Sequence, residues 1–325
     1  MLSLDLGAKH GGSVVSVIIA ESKKLGFVAV GFTRPERPLF FDAFREWVGA
    51  GNHGQMSWIA RHMDIRKNPG RLLEGCRAII ALAYPYASQK PATPDGFTAA
   101  RYTEPKKTDY HDRLKRLCRT LINRVAKQAP GARWRVCVDS APLLERSLAF
   151  ASGLGFIGKN NMLIVPGHGS YVFLAEILTS AQLDFPESSP MESLCGDCTR
   201  CVDACPMGAL EKPYTLVSYR CLSYLTVEYR GGIGEKAGRK MGNCFFGCDV
   251  CQEVCPFNPT ETDTDICLPS AGQILQMEEE AFRQKFGRTA FARSGLEKIK
   301  NNLIALDRLS SSQESNTAFL PNSKA

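Results

Sequence analysis

The apolar positions of the first 185 residues switch repeatedly between helical and strand-like spacing. Residues 14–20 are mostly apolar, are interrupted by Ser16 and run into Ser22-Lys23-Lys24, which predicts a first helix, and residues 27–32 then read as a strand. An amphipathic stretch follows at 40–49, a strand at 78–84, a helix at 110–128 and a strand at 133–138. Residues 141–151 return to helical spacing, and 162–165 and 171–174 are strand-like, the last leading toward Leu183. This alternation predicts an α/β (α+β) domain whose sheet is covered by helices. Residues 186–193 are polar and hold two prolines, the composition of a linker. Beyond a cysteine-dense stretch, residues 268–309 have helical spacing with Lys and Arg on the polar side, and the Ser- and Asn-rich residues 310–325 are expected to be disordered. The chain thus divides into 1–185, 186–265, 266–309 and a tail at 310–325.

A length of 325 residues suits a large core with an attached smaller module. No apolar run approaches the roughly 18 to 20 residues that span a bilayer. The first residues also lack the basic start, unbroken apolar middle and small-residue cleavage site of a secretory leader. A soluble protein with no membrane partner is expected. The 40 Lys and Arg against 33 Asp and Glu leave a net charge of +7, a mild bias toward a polyanionic partner. The 13 cysteines say more, because nine of them fall between Cys195 and Cys255. In a chain this long such bunching argues for metal ligation over a disulfide framework, and for a reducing, cytoplasmic compartment.

The run Cys195-x2-Cys198-x2-Cys201-x3-Cys205-Pro206 has the bacterial ferredoxin spacing. Two intervening residues let a tight loop aim successive sulfurs at three corners of one cubane. The proline after the fourth cysteine bends the chain toward a second cluster. Zinc would need only four ligands in two pairs. A second run, Cys244-x3-Cys248-x2-Cys251-x3-Cys255-Pro256, departs from the template because Phe245 stands three before Cys248. Cys248 and Cys251 remain as ligands, Cys255 crosses to the first cluster and Cys205 to the second. Spacing leaves the eighth ligand open between Cys221, in Arg220-Cys221-Leu222-Ser223-Tyr224, and Cys244, four residues before Cys248. Cys76, Cys118, Cys137 and Cys267 read as small buried hydrophobes or inert thiols. Two adjacent cubanes form an electron relay, and a relay needs a terminus where bonds change.

Gly153-x-Gly155-x-x-Gly158-Lys159 spells the dinucleotide fingerprint, but a helix precedes it and a strand follows, the reverse of what that site requires. Close backbone approach to a bulky ligand is the expected use of these glycines. Val138-Asp139-Ser140-Ala141-Pro142 sets a carboxylate at a strand end before a helix. Asp139 could cap that helix or serve as an acid, and its sequence context does not choose.

Taken in order, several segments make the chain resemble the epoxyqueuosine reductases from about residue 25 to residue 307. They are Gly54-Gln55-Met56-Ser57-Trp58, Arg61-His62-Met63-Asp64-Ile65-Arg66, Arg101-Tyr102, Asp109-Tyr110-His111, residues 138–142 and 153–161, Gly169-Ser170-Tyr171, the first cysteine run, and residues 220–225 and 247–258. The resemblance implies a base-off cobalamin in the α/β domain, beside the first of two 4Fe-4S clusters held in a ferredoxin-like module. Electrons would pass from the clusters to cobalt to reduce the epoxide of epoxyqueuosine at the wobble position of tRNA, the last step of queuosine biosynthesis. It implies that Asp139 is the proton donor and that Cys221 is the eighth ligand. Cys195, Cys198, Cys201 and Cys255 then hold one cluster and Cys205, Cys221, Cys248 and Cys251 the other, with Cys244 free. Arg66, Tyr102, Asp139, Asn161, Ser170 and Asp249 fall in matching segments and are expected around the corrin. The family binds cobalamin without a histidine ligand, so His111 is expected to be structural. The chain departs from the family's usual Gly-Lys-Asn-Thr-Asn wording at Asn161-Met162, and it shows no helical-repeat extension. Contact with tRNA is therefore expected from the main body and the basic residues 283–300. A monomer served by an unidentified low-potential electron donor completes the expectation.

Two other readings compete. A corrinoid reductive dehalogenase would share cobalamin and clusters, but such enzymes are usually exported and use a tyrosine as acid. A ferredoxin-type electron carrier would hold iron and sulfide without affinity for a corrinoid.

Overall fold

The computed structural model of the chain describes residues 13–259 and 263–317. In chain order its main layer comprises α1 (Val14–Lys24), β1 (Ala29–Thr33), α2 (Phe41–Gly49), β2 (Ala78–Pro85), α3 (Tyr110–Val125), β3 (Trp134–Cys137), α4 (Glu145–Ala151) and β4 (Val172–Thr179). The four strands form one sheet in the order β1-β2-β4-β3, and every neighbouring pair is antiparallel. The alternating pattern thus resolves into the α+β form. Side chains alternate across a strand, and β2 uses both faces. Ala78, Ile80 and Leu82 pack with Ile18 of α1 and Leu114 and Leu121 of α3. Ile79, Ala81 and Ala83 face the other way, toward Leu148 and Ala149 of α4. Covering both faces explains why β2 is apolar at almost every position.

The helix read from residue 141 begins only at Glu145. Ser140 N donates to Val138 O at 2.5 Å, and Ala141 precedes Pro142, which disfavours helical backbone at Ala141. The glycine run leads into a hairpin of Phe156–Ile157 with Leu163–Ile164. A Cβ on Gly155 would lie 2.1 Å from Ile164 O, and one on Gly158 would lie 2.7 Å from Ile164 Cδ1. Gly155 and Gly158 thus permit close approach of the chain's own hairpin, whereas a Cβ on Gly153 would lie 3.2 Å from Ser188 Cβ.

A second sheet joins Cys244–Phe246, Thr98–Ala99, Lys90–Ala92 and Thr264–Ile266 in that order. Its strands come from both sides of the 186–193 linker, so the two parts of the chain share this layer. Phe245 and Phe246 pack there with Phe291, Ile299 and Leu303, the last two from α5 (Leu296–Thr317). This final helix runs past residue 309, where the sequence reading placed its end. Residues 310–317 contain neither proline nor glycine to stop it; the rest of the expected tail, 318–325, lies outside the described residues. Among the described residues no helix is long and apolar enough to cross a membrane.

Candidate active site

A cavity of ≈ 1930 Å³ opens between the 56–66 segment, the first turn of α3, the turn after β3, and residues 214–228 and 288–293. Its volume exceeds the roughly 300–1,000 Å³ of most small-molecule sites. Phe40, Phe44, Trp47 and Trp58 give it aromatic walls, and Arg61, Arg135 and Arg288 stand exposed among its lining residues. Side chain-to-backbone bonds hold the wall together. Trp47 Nε1 donates to Leu216 O at 2.5 Å, and Gln55 N donates to Tyr224 Oη at 2.9 Å. Gly54 has φ +59°, and a Cβ there would lie 2.7 Å from Tyr224 Oη. Only glycine suits that place, and it is what brings the 54–58 segment onto the 220–225 segment.

Asp139 occupies the cavity floor at the turn that ends β3. Its backbone is left-handed, with φ +53°. Its carboxylate does not cap α4, whose N-cap is Leu144 with no side-chain bond; it points instead at the first turn of α3. Asp139 Oδ2 accepts from Tyr110 Oη at 3.0 Å and lies 3.0 Å from His111 Nε2, while His111 Nδ1 lies 2.6 Å from Asp109 Oδ1. The Asp139 side chain is 52% exposed, toward the cavity.

These contacts set the protonation states. For Asp139, partial burial favours the neutral acid, but the hydrogen bond and charge of His111, the Tyr110 hydroxyl and the charge of Arg293 outweigh it and hold the carboxyl below its ordinary range. Burial alone would lower the pKa of His111; its bonds to Asp109 and Asp139 instead push it up to about 9. At neutral pH the imidazole therefore carries the proton and the aspartate the negative charge. His111, expected to be structural, is anchored by Asp109, which accepts from His111 N, and its imidazole lies against Asp139.

A folded-state pKa above the ordinary 6.5 means that the His111 pairing stabilises the fold fully below pH 6.5 and is lost as pH rises through about 9. NMR titration of the imidazole, assigned with His111→Gln, should find its midpoint near 9. In Asp139→Asn the midpoint should drop by about one unit or more, because one of two flanking carboxylates is gone. A midpoint that does not move would show that the two side chains are uncoupled.

Arg66, Tyr102 and Asn161 also line the cavity. Arg66 Nη1 donates to Leu143 O at 3.2 Å, and its guanidinium lies 5.5 Å from the Phe44 ring centroid. Asn161 has φ +63°, and its Nδ2 is buried without a hydrogen-bond partner. Ser170 and Asp249 do not line it. Ser170 is buried and bonds to Asn258 and Gln252, and Asp249 accepts from Arg101 N at 2.8 Å, its carboxyl pushed up to about 6 by burial. Their segments match, but their side chains turn inward to tie the cysteine-bearing loops to the main layer. Tyr110, Glu145 and Arg293 line the cavity without having been singled out; the N-cap pattern at Asp109 was the available signal for the first.

Cys195, Cys198, Cys201 and Cys255 line a separate small pocket with Pro256 and Phe257. Burial, and then proximity to Cys221, Cys248, Cys201 and Cys205, push the Cys251 thiol up, which marks these sulfurs as neighbours. Cys244 is buried, with Sγ donating to Phe246 O at 3.5 Å and Gly247 O at 3.6 Å. Of the cysteines between Cys195 and Cys255, Cys221 lines the large cavity.

The family described as epoxyqueuosine reductase QueG, DUF1730, matches residues 66–140, and a 4Fe-4S double cluster binding domain matches residues 194–258. An epoxyqueuosine reductase from Leadbetterella byssophila is 33% identical over 287 residues, which cover 86% of this chain and 91% of the relative. One from Synechococcus sp. (strain RCC307) is 40% identical over 270 residues, covering 79% and 82%. The crystal structure of an epoxyqueuosine reductase with a tRNA-Tyr epoxyqueuosine-modified stem loop superposes with a TM-score of 0.76 at 30% identity, over 90% of this chain and 81% of that one. Sequence likeness across most of both chains, joined to a shared overall fold, shows that the chain belongs to the epoxyqueuosine reductase family.

Proposed function

We propose that this oxidoreductase removes the epoxide oxygen of epoxyqueuosine in tRNA, using the cavity as its reaction chamber and Asp139 to deliver a proton to the leaving oxygen. The observation that carries the reading is the Asp139 carboxylate, bonded to a protonated His111, facing a cavity whose wall includes Cys221. The cavity also fits cobalamin. Its volume suits a macrocycle, and the unpartnered Asn161 Nδ2 meets the need of an amide-fringed ligand for donors. Arg66, Tyr102 and Asn161 would hold it, and the two cysteine sets would each hold one 4Fe-4S cluster. Together these groups supply low-potential electrons at the cavity when bound.

The protein's own part is proton supply, orientation and exclusion of water. Removing an epoxide oxygen as water takes two electrons and two protons. A substrate that fills the cavity strips water from Asp139 and raises its proton affinity. A proton can then pass from His111 Nε2 to Asp139 along their existing 3.0 Å contact and on to the epoxide oxygen, so that the ring opens to a hydroxyl rather than an alkoxide; the second proton, with which that hydroxyl departs as water, reaches the same pair from solvent. Asp109 keeps the imidazole oriented, and Tyr110 fixes the carboxylate. Among the cysteines, Ala209 N donates to Cys205 Sγ at 3.2 Å, the kind of bond that tunes a cluster's potential.

For tRNA, the exposed Arg61, Arg135 and Arg288 at the cavity suit phosphates. Of the basic residues 283–300, Lys298 is buried and donates to Gly231 O, and Arg293 pairs with Glu228 at 2.5 Å. The segment's outward cations are thus Arg283, Lys285 and Arg288. We read the enzyme as a cytoplasmic monomer fed by a low-potential donor.

Spectral titration of the anaerobic, iron-loaded protein with cobalamin tests the cavity assignment. One equivalent should bind, and Asn161→Ala should weaken binding by about tenfold, the effect of losing one buried hydrogen bond. Unchanged affinity in that variant would remove Asn161 from the binding set, and no binding at all would remove cobalamin from the cavity.

A further inference from the structure

Behind Asp139 lie two carboxyl groups that the proton path does not use. Glu176 stands in the middle of β4, opposite Ala81 of β2 and Cys137 of β3, and is 0% exposed. It is the only charged residue of that strand. Neither of its oxygens has a partner at ordinary hydrogen-bond length. A carboxyl buried this way without a cation keeps its proton. The polar group that acts on it most strongly is the carboxyl of Glu145, at the start of α4. Glu145 Oε1 in turn accepts the backbone N–H of Asp139 at 2.5 Å.

That bond has a specific use. Asp139 holds a left-handed backbone that an L residue adopts only when its surroundings fix it. Ser140 N folds back onto Val138 O within the same turn, so the turn's tether to the scaffold at Asp139 N is Glu145. Burial and the neighbouring carboxylates push both glutamates above their ordinary range, so the pair retains a proton near neutral pH.

We propose that Glu145 is a positioning residue for Asp139: it accepts the Asp139 backbone N–H and fixes the turn that aims the carboxylate into the cavity, with the buried Glu176 behind it. The inference rests on Asp139 being the proton-delivering group. It predicts that what matters at position 145 is an acceptor oxygen at the right reach, not a charge.

Three variants of the full, iron-loaded chain test this. Glu145→Ala removes the acceptor, Glu145→Asp keeps the charge but shortens the reach, and Glu145→Gln keeps the oxygen and loses the charge. Amide hydrogen exchange of the peptide covering residues 138–144 and turnover of an epoxyqueuosine stem loop are the readouts. The Ala and Asp variants should exchange faster in that peptide and lose about 10²-fold in kcat with KM unchanged, as a misaimed reacting group does. Glu145→Gln should recover most of both. Exchange in Glu145→Asp that matches the wild type, or a Gln variant as impaired as the Asp variant, overturns the proposal. If Glu145→Ala fails to fold, the Asp and Gln pair still decides. Full turnover in Asp139→Asn would remove the proton role of Asp139 yet leave the exchange result standing, so the two failures are separable.

Discussion

Cys251→Ser is expected to lower the iron content from about eight to about four per chain, the difference of one four-iron cage, and to abolish turnover. Cys251 lies within electrostatic reach of Cys205, Cys221 and Cys248, so its loss opens the set that borders the cavity. Cys195, Cys198, Cys201 and Cys255 keep their own pocket and should keep their iron. Electrons held there would then have no carrier between them and the cavity wall. Cys244→Ser is the matching control. The Cys244 thiol shares its one proton between the Phe246 and Gly247 carbonyls, a role a serine hydroxyl can take over, so iron should be retained in full. Anaerobic iron and sulfide analysis checks both. Iron lost from Cys244→Ser and kept by Cys221→Ser would exchange their roles.

Asp139→Asn should reduce turnover by about 10²–10⁴-fold, the usual contribution of a positioned acid, while iron content and cobalamin binding stay as in the wild type. Asparagine keeps the size of the side chain and the backbone N–H that Glu145 accepts. It cannot carry a proton from His111 to a leaving oxygen. In the wild type the rate should fall as pH rises through about 9, because the imidazolium that supplies the proton is then lost. Single-turnover rates measured from pH 6 upward on the stem loop, in parallel for the two proteins, are the check. An Asp139→Asn enzyme as fast as the wild type would move the acid elsewhere in the cavity.

The clusters were legible in the sequence because a cubane constrains cysteine spacing over a few residues, and seven thiols at those spacings leave little choice. Spacing did not choose an eighth ligand, because Cys221 stands outside both runs and its place is set by tertiary contacts such as those that bring Tyr224 onto Gly54 and Gln55. The strands were legible from periodicity, but their antiparallel order depends on pairing between β2 and β4, some ninety residues apart, which no local pattern encodes. Asp139 could be picked out as a carboxylate at a strand end, whereas its partner His111 could not, because a histidine in the first turn of a helix shows nothing about where that helix points. Ser170 and Asp249 illustrate the opposite case. They sit in matching segments, yet their side chains face into the protein, a distinction that depends on rotation about the local backbone. Glu176 did leave a mark, a lone carboxylate in the apolar run Val172–Thr179, but the physical meaning of that mark appears only once Glu145 is seen beside it.

All of these expectations hang on one cavity in which electrons from the cysteine-held clusters and a proton from the Asp139–His111 pair meet the same substrate. The direct measurement is nucleoside analysis of an epoxyqueuosine-bearing tRNA stem loop after anaerobic incubation with the reconstituted protein, cobalamin and a low-potential reductant. Queuosine should replace epoxyqueuosine, with no conversion when cobalamin is omitted. Epoxyqueuosine left intact by protein that carries its full iron and a bound corrinoid would contradict the account.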